Sequence, residues 1–175
     1  MSALINKLSD GKLDEFIQKK FTDPMVAMNV SMIQSKAFKD LVEEDAQETV
    51  MKEYEWKMFA VANNGVVTPL MSLVPKEGVE PTVTRIKVKT AFEWRETDVF
   101  SAGVAIWVYA INHTAWAIQG SDDLSEKYKE EHIETLNSYY HDIRDYAIGD
   151  TEITNLDEVI GQKELDKASI YNILD

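Results

Sequence analysis

The chain has 175 residues, a formal net charge of −13 and no cysteine. That length is sufficient for a single domain with its own hydrophobic core. Without cysteine, the chain has no disulfides, thiolate zinc sites, iron–sulfur clusters or cysteine nucleophiles. A strongly anionic surface repels nucleic acid and anionic membranes and attracts basic proteins, although such surfaces also serve solubility alone. We therefore expect a protein partner, no direct nucleic-acid contact and no membrane association.

The first 50 residues predict helices. Residues 12–21 form one short amphipathic pattern, and a second helix is expected from residue 24 to about residue 48. A proline stands at its first position, where this residue favours the start of a helix. Methionine in such a helix is more often core filler than binding surface. We therefore expect its apolar residues to be buried: Met25, Met28, Met32, Phe38, Leu41 and Val42.

The middle of the chain predicts a small antiparallel sheet. Residues 54–62 and 66–70 are β-forming and flank an Asn-Asn-Gly sequence, which is typical of a tight hairpin turn. Pro69 cannot donate to a ladder, so the second strand is expected to lie at an edge or to end there. Residues 82–94 alternate in polarity, which predicts one half-buried strand with a basic outer face. Its inward side is expected to hold Thr84, Ile86, Val88, Thr90, Phe92 and Trp94.

Residues 99–121 contain no charged residue, and Thr97 or Asp98 can cap a helix that begins there. About twenty apolar residues suffice to span a bilayer. The flanks are acidic, however, and polar residues interrupt the segment, which favours a central buried helix in a soluble fold. The N-terminal stretch also has no apolar run of signal-peptide length, so we expect a cytoplasmic location. The interrupting polar residues are Asn112, His113, Thr114 and Gln119.

An acidic helix is expected from about residue 124 to residue 148, ended by Gly149 and Asp150, with one or two short helices after it. Its inner face is predicted to carry Leu124, Tyr128, His132, Leu136, Tyr139, Tyr140, Ile143 and Ala147. Acidic residues spaced four apart share its outer side. Together with two acids further along, they are our candidate partner-contact residues: Asp122, Glu126, Glu130, Glu134, Asp142 and Asp145.

The sequence lacks the motifs of common catalytic and metal sites. It has no Gly-x-Gly phosphate loop, no P-loop, no His-Glu-x-x-His and no Gly-x-Ser-x-Gly. None of its histidines stands in the Glu-x-x-His pattern of a carboxylate-bridged metal pair. We therefore expect a protein that is not an enzyme, with no catalytic residues, no cofactor and no metal.

Three stretches resemble the ArdB/KlcA antirestriction family in order and spacing. They are residues 59–69 (FAVANNGVVTP), residues 101–103 with 109–116 (SAG and YAINHTAW), and residues 139–147 (YYHDIRDYA). The resemblance covers more than half of the chain. It departs from the family in the N-terminal third, which lacks the usual Phe-Leu-Pro and Phe-Gly-Arg segment. It also departs after the third stretch, where the family has His-Pro-Glu.

The resemblance implies a mixed α+β fold and relief of DNA restriction, chiefly by type I restriction–modification systems. It implies no catalytic residues, because the family has none that are accepted. We therefore expect a divergent antirestriction protein, carried by a phage or mobile element, that inhibits host DNA-defence machinery through protein contact. DNA mimicry by carboxylates is a secondary possibility. The alternative is an acidic protein-binding module of unrelated function.

With the elements above, this predicts a single α+β domain over residues 1–175. N-terminal helices occupy residues 1–50, a small antiparallel sheet with a hairpin occupies 54–94, and a helical part occupies 97–175. The sheet is expected to pack on the central buried helix, with the other helices around it.

Overall fold

The structure, a computed structural model, describes residues 2–5, 24–63, 66–89 and 94–151. Four helices and two small antiparallel sheets form an α+β fold in these residues, as the sequence predicts. The helices expected over residues 12–21 and after residue 151 lie outside the described residues. The elements are β1 (Ser2–Ile5), α1 (Pro24–Leu41), α2 (Glu44–Glu53), β2 (Tyr54–Asn63), β3 (Val66–Pro75), β4 (Arg85–Lys89), β5 (Trp94–Asp98), α3 (Val99–Gly120) and α4 (Glu126–Asp150).

The larger sheet has the antiparallel order β1-β2-β3. Strand β1 corrects the prediction of helices over residues 1–50 and of a sheet confined to residues 54–94, because Ser2–Ile5 pairs with the end of β2. Strands β2 and β3 pair over their whole length, from Tyr54 opposite Pro75 to Asn63 opposite Val66. Only two residues remain for the connection, so the predicted hairpin is confirmed, although the turn itself lies outside the described residues. Strand β3 is an edge strand, as Pro69 predicted, but it extends five residues beyond the expected end at residue 70.

The second sheet corrects the prediction of one strand over residues 82–94. The chain reverses within this range, and β4 pairs with β5 from Arg85 opposite Asp98 to Lys89 opposite Trp94. Strand β4 has the predicted alternation, with Ile86 and Val88 buried and its three basic residues exposed. Trp94 was expected inside, but it is 50% exposed. The hairpin explains the error, because residues directly opposite each other share one face, and Lys89 faces outward.

The single helix expected over residues 24–48 is also wrong. The structure has two helices, because Val42 leaves α1 and bridges to Val88 of β4. The next residue, Glu43, donates its backbone N–H to the carbonyl of Lys87 at 3.0 Å. A tertiary contact with the second sheet therefore ends the helix at a point where local propensity would continue it.

The outer and inner faces of α1 differ from the expectation. Phe38, Leu41 and Val42 are buried as predicted. The three methionines are not, since Met25, Met28 and Met32 are 58%, 51% and 62% exposed. The prediction failed because α1 has apolar residues all round, and the side facing the core carries Val26 and Val30 instead.

Helix α3 is the buried centre that the sequence predicts. Fifteen of its 22 residues are buried. Asp98 caps it, because its Oδ1 accepts a hydrogen bond of 2.7 Å from the backbone N–H of Ser101. Among the described helices, none is both long and apolar enough to span a bilayer.

Helix α3 lies directly against strand β3. A Cβ atom at Gly103 would lie 2.3 Å from Ser72 Oγ and 2.7 Å from the backbone nitrogen of Leu73. Ser72 Oγ donates to the carbonyl of Phe100 at 2.7 Å. One turn after Gly103, Trp107 Nε1 donates to the carbonyl of Pro69 at 3.0 Å. The absence of a side chain at Gly103 thus allows helix and strand to meet.

We expect Gly103→Ala to lower the free energy of unfolding by about 1–3 kcal/mol, because the added methyl group must displace Ser72 or push α3 from β3. Gly120→Ala is the matched control, since nothing lies within 4 Å of a Cβ there. In the same helix, alanine should be neutral or stabilising by up to about 1 kcal/mol. Urea denaturation of both variants measures the difference. Equal stabilities would contradict the close packing of α3 on β3.

Candidate functional site

The acidic residues singled out by the sequence lie mainly on helix α4. This helix begins two residues later than expected, because the Oγ of Ser125 accepts from the backbone N–H of Tyr128 at 3.1 Å and caps it. It also runs through Gly149 and Asp150, which were expected to end it. The four-residue spacing of the predicted outer face therefore falls on a regular helix from Glu126 onward.

The inner face of α4 is partly as predicted. Leu136, Tyr139, Tyr140, Ile143 and Ala147 are buried. Leu124, Tyr128 and His132 are only half-buried.

Two further buried residues of α4 were missed. They are Ile133, which is 7% exposed, and Tyr146, which is 4% exposed. Each lies three residues from a correctly predicted core position, Leu136 or Ile143, on the same side of the helix. The i, i+3 spacing was therefore a usable signal for both.

Glu126, Glu130 and Glu134 are all exposed and follow one another along successive turns of α4. We call these three residues the acidic face. Asp122 is exposed too, but it lies in the connection before the helix. The whole helix has seven acidic and three basic residues. Its surface is therefore anionic as well as ordered.

The acidic face lines one side of a groove of about 650 Å³ between the start of α4 and the end of α3. Lys129 also lines this groove, and its side chain is only 16% exposed. Its Nζ donates to the carbonyl of Gln119 at 3.3 Å and lies 3.9 Å from Glu126 Oε1. The ammonium group therefore sits at the C-terminal end of α3, where helix carbonyls favour a cation.

Lys129 neutralises little of the acidic face. Glu126, its ion-pair partner, has a side chain that is 94% exposed, and such pairs contribute little. In the part of the chain that the structure describes, the side chains of Glu130 and Glu134 form no ion pair and no hydrogen bond. Their carboxylates present charge to the solvent. Such groups favour guanidinium and ammonium groups of a basic partner.

Asp142 and Asp145, the other two candidate contacts, differ from the acidic face. Asp145 is exposed, and its Oδ1 lies 3.7 Å from Arg144 Nε. Asp142 is half-buried, and its Oδ2 accepts a hydrogen bond of 2.6 Å from Thr68 Oγ1. Because Thr68 is fully buried in β3, this bond joins α4 to the larger sheet. One carboxylate oxygen of Asp142 therefore helps to hold α4 against the larger sheet.

Tyr139 lies one turn before Asp142 on the buried side of α4. Burial, together with the negative charge of Asp142, raises the pKa of Tyr139 to about 12. The phenol is therefore neutral at physiological pH and acts as a packing residue.

The histidines lie against aromatic rings. His113 stacks on Tyr109, with ring centroids 3.9 Å apart, and His132 lies 4.2 Å from the ring of Tyr128. Among the described residues, no group of three or more histidine and acidic side chains is arranged to hold a metal ion.

The three stretches that resemble the ArdB/KlcA family meet in the core. The first lies in β2 and β3, the second in α3 and the third in α4. Thr68 of the first bonds Asp142 of the third. Gly103 of the second lies against β3 just beyond the end of the first. The residues that carry the resemblance are therefore mainly those that hold the helices on the sheet.

No protein-family model, curated protein or solved structure matches the chain. Membership of the ArdB/KlcA family accordingly stays a prediction from the sequence.

We expect Thr68 and Asp142 to be energetically coupled. Thr68→Val leaves the carboxylate without this donor, and Asp142→Ala removes the acceptor of this hydrogen bond. A double-mutant cycle in urea should give a coupling energy of about 1–2 kcal/mol, because the bond involves a charged acceptor that is partly solvated. Strictly additive effects would show that the bond contributes nothing to joining α4 and β3.

A second prediction concerns alkaline pH. The folded pKa of Tyr139 is about 12, whereas an unfolded tyrosine has a pKa of about 10. As pH rises through this window, the unfolded chain releases a proton that the folded chain keeps, so stability falls. Tyr139→Phe should therefore reduce the loss of stability between pH 10 and 12. Burial also raises the pKa of Tyr54, so part of the loss should remain.

Urea midpoints at both ends of this pH range measure the effect, and absorbance titration of the phenolate provides the second readout. The variant should lack one late-titrating tyrosine. An unchanged dependence on pH, with no lost transition, would contradict the burial of Tyr139 against Asp142.

Proposed function

We propose that the protein is a non-enzymatic antirestriction protein. It inhibits a type I restriction–modification complex, or a related DNA-defence machine, through protein contact in the host cytoplasm, and it is encoded by a phage or mobile element. The ordered resemblance to the ArdB/KlcA family supports the class. The single structural observation that supports a contact mechanism is the acidic face, with Glu130 and Glu134 unpaired in the described residues.

The charge of the acidic face fits a basic protein surface. Machines that act on DNA expose lysine and arginine where they hold phosphates. Carboxylates that are solvated and unpaired exchange water for such groups without first breaking an ion pair. The groove beside the acidic face adds a concave surface to the contact, and a basic side chain of the partner can enter this groove.

The spacing of the acidic face argues against simple DNA mimicry. Residues four apart on a helix are separated by about 6 Å along its axis. Duplex DNA carries about one charge per 1.7 Å of axis. The acidic face is therefore far less densely charged than DNA. It suits a local basic patch better than a whole DNA channel.

The plating efficiency of unmodified phage on a restricting host tests the proposal. Expression of the protein should raise plating by at least an order of magnitude, which corresponds to loss of most restriction. The triple variant Glu126→Lys, Glu130→Lys and Glu134→Lys should abolish this effect. Exposed substitutions of this kind usually change stability by no more than about 0.5 kcal/mol each, and a thermal melt checks that the variant folds.

The matched control changes the same charge elsewhere. Glu44, Glu77 and Glu80 are exposed and lie away from α4, and their replacement by lysine should leave plating high. Loss of activity in both triple variants would show that total charge matters instead of the acidic face. No effect of the unaltered protein on several restriction families would refute the antirestriction role. It would favour an acidic binding module of unrelated function.

A further inference from the structure

The outer face of α1 is apolar and exposed. Met25, Met28 and Met32 are 58%, 51% and 62% exposed, whereas Val26 and Val30 on the other side are buried in the core. A helix that is apolar on both sides is normally covered on both sides. In the described residues, α1 is covered on one side only.

This part of α1 also lacks charge altogether. No residue from 24 to 35 (PMVAMNVSMIQS) is charged, in a chain of which 28% is charged. The first charged residue of α1 is Lys36. The uncharged stretch covers about 18 Å of helix at 1.5 Å per residue, which is enough for a helix–helix contact.

The exposed residues have the spacing of a packing seam. Met25, Met28, Met32 and Ser35 are separated by three, four and three residues, which is the a/d pattern of helices that pair side by side. We call these four residues the methionine seam. Methionine is flexible and polarizable, so it adapts well to an identical opposing surface.

We propose that the methionine seam is the contact surface of a homodimer. Two copies of a chain with net charge −13 repel each other over most of their surface. This electrostatic repulsion is smallest where the facing surfaces carry no charge, and the methionine seam is such a surface. A twofold dimer needs one self-complementary patch only, and the seam supplies it.

The charges of α1 determine the direction of pairing. In a parallel pair, Lys36 and Lys36 of the partner subunit would lie at the same end and level of the pair, and their like charges would repel each other. An antiparallel pair places these lysines at opposite ends and also aligns the helix dipoles favourably. With the uncharged stretches in register, Met28 lies opposite Met32 of the partner subunit, and Met25 lies opposite the small Ser35 of the partner subunit.

Sedimentation of the full chain tests the dimer. The apparent mass should rise from monomer toward dimer between about 5 and about 200 μM, since association follows mass action. Met28→Lys and Met32→Lys should each keep the protein monomeric over this range with an unchanged far-UV spectrum. Ile148→Lys is the matched control, because Ile148 is 52% exposed on α4, and it should leave the dimer intact.

The absence of cysteine allows a direct test of register. A mixture of Met28→Cys and Met32→Cys chains should form mainly the mixed disulfide under mild oxidation, because these positions face each other in the antiparallel pair. Predominant homodisulfides would refute the antiparallel pairing. A monomer at every concentration would refute the dimer. A dimer that survives both lysine substitutions would refute the methionine seam as its contact surface. In the monomer case, another segment of the chain or another protein is the occupant of the seam. These tests measure mass and cross-linking, so their outcome for the dimer does not depend on whether the protein has antirestriction activity.

Discussion

The contact between helix α3 and strand β3 governs the rest of the fold. Gly103 lets the helix backbone approach Ser72 and Leu73 more closely than any side chain would allow. Two side-chain hydrogen bonds, from Ser72 and from Trp107, then hold the helix along the strand. Because α3 lies so close to the sheet, it can be buried over most of its length while α1 and α4 pack on its remaining sides. The outward faces of α1 and α4 are thus both set by the position of α3.

This arrangement separates two kinds of surface. Helix α4 packs through Leu136, Tyr140 and Ile143 and turns the acidic face to solvent. Helix α1 packs through Val26 and Val30 and turns methionines to solvent. The acidic face attracts basic groups and repels the acidic face of another copy of the chain. The methionine seam carries no charge, so it does neither. A contact with a basic partner and self-association therefore need not compete for one face.

Local signals in the sequence were sufficient for much of the fold. The Asn-Gly sequence predicted the β2–β3 hairpin, and Asp98 predicted the start of α3, because turn and cap chemistry act over a few residues. Tertiary contacts decided the features that were missed. The break after α1 depends on the pairing of Val42 with Val88, which is remote in sequence. The reversal between β4 and β5 was missed because the alternation in polarity that marks β4 continues along the sequence as far as Trp94.

The candidate site was predictable in part for the same reason. Spacing by four put Glu126, Glu130 and Glu134 on one side of a helix, and the structure exposes all three. Spacing could not reveal the groove beside them, nor that Lys129 reaches the end of α3, because both depend on how two helices meet. It also could not separate Asp142 from the exposed acids. The carboxyl group of Asp142 is identified as part of the fold only by Thr68, 74 residues earlier in the chain.

The two uncharged helical stretches of the chain differ in how completely they are buried. Residues 24–35 and 99–121 are both free of charge, and the same argument predicts burial for both. It holds for α3, which packs against the sheet and two helices, and it fails for the outer side of α1. The hydrophobic effect demands only that apolar surface be removed from water and does not specify what covers it. The surface that covers α3 lies within the described residues. The surface that would remove the exposed methionines of α1 from water is not among them, which is why we assign it to a second copy of the chain.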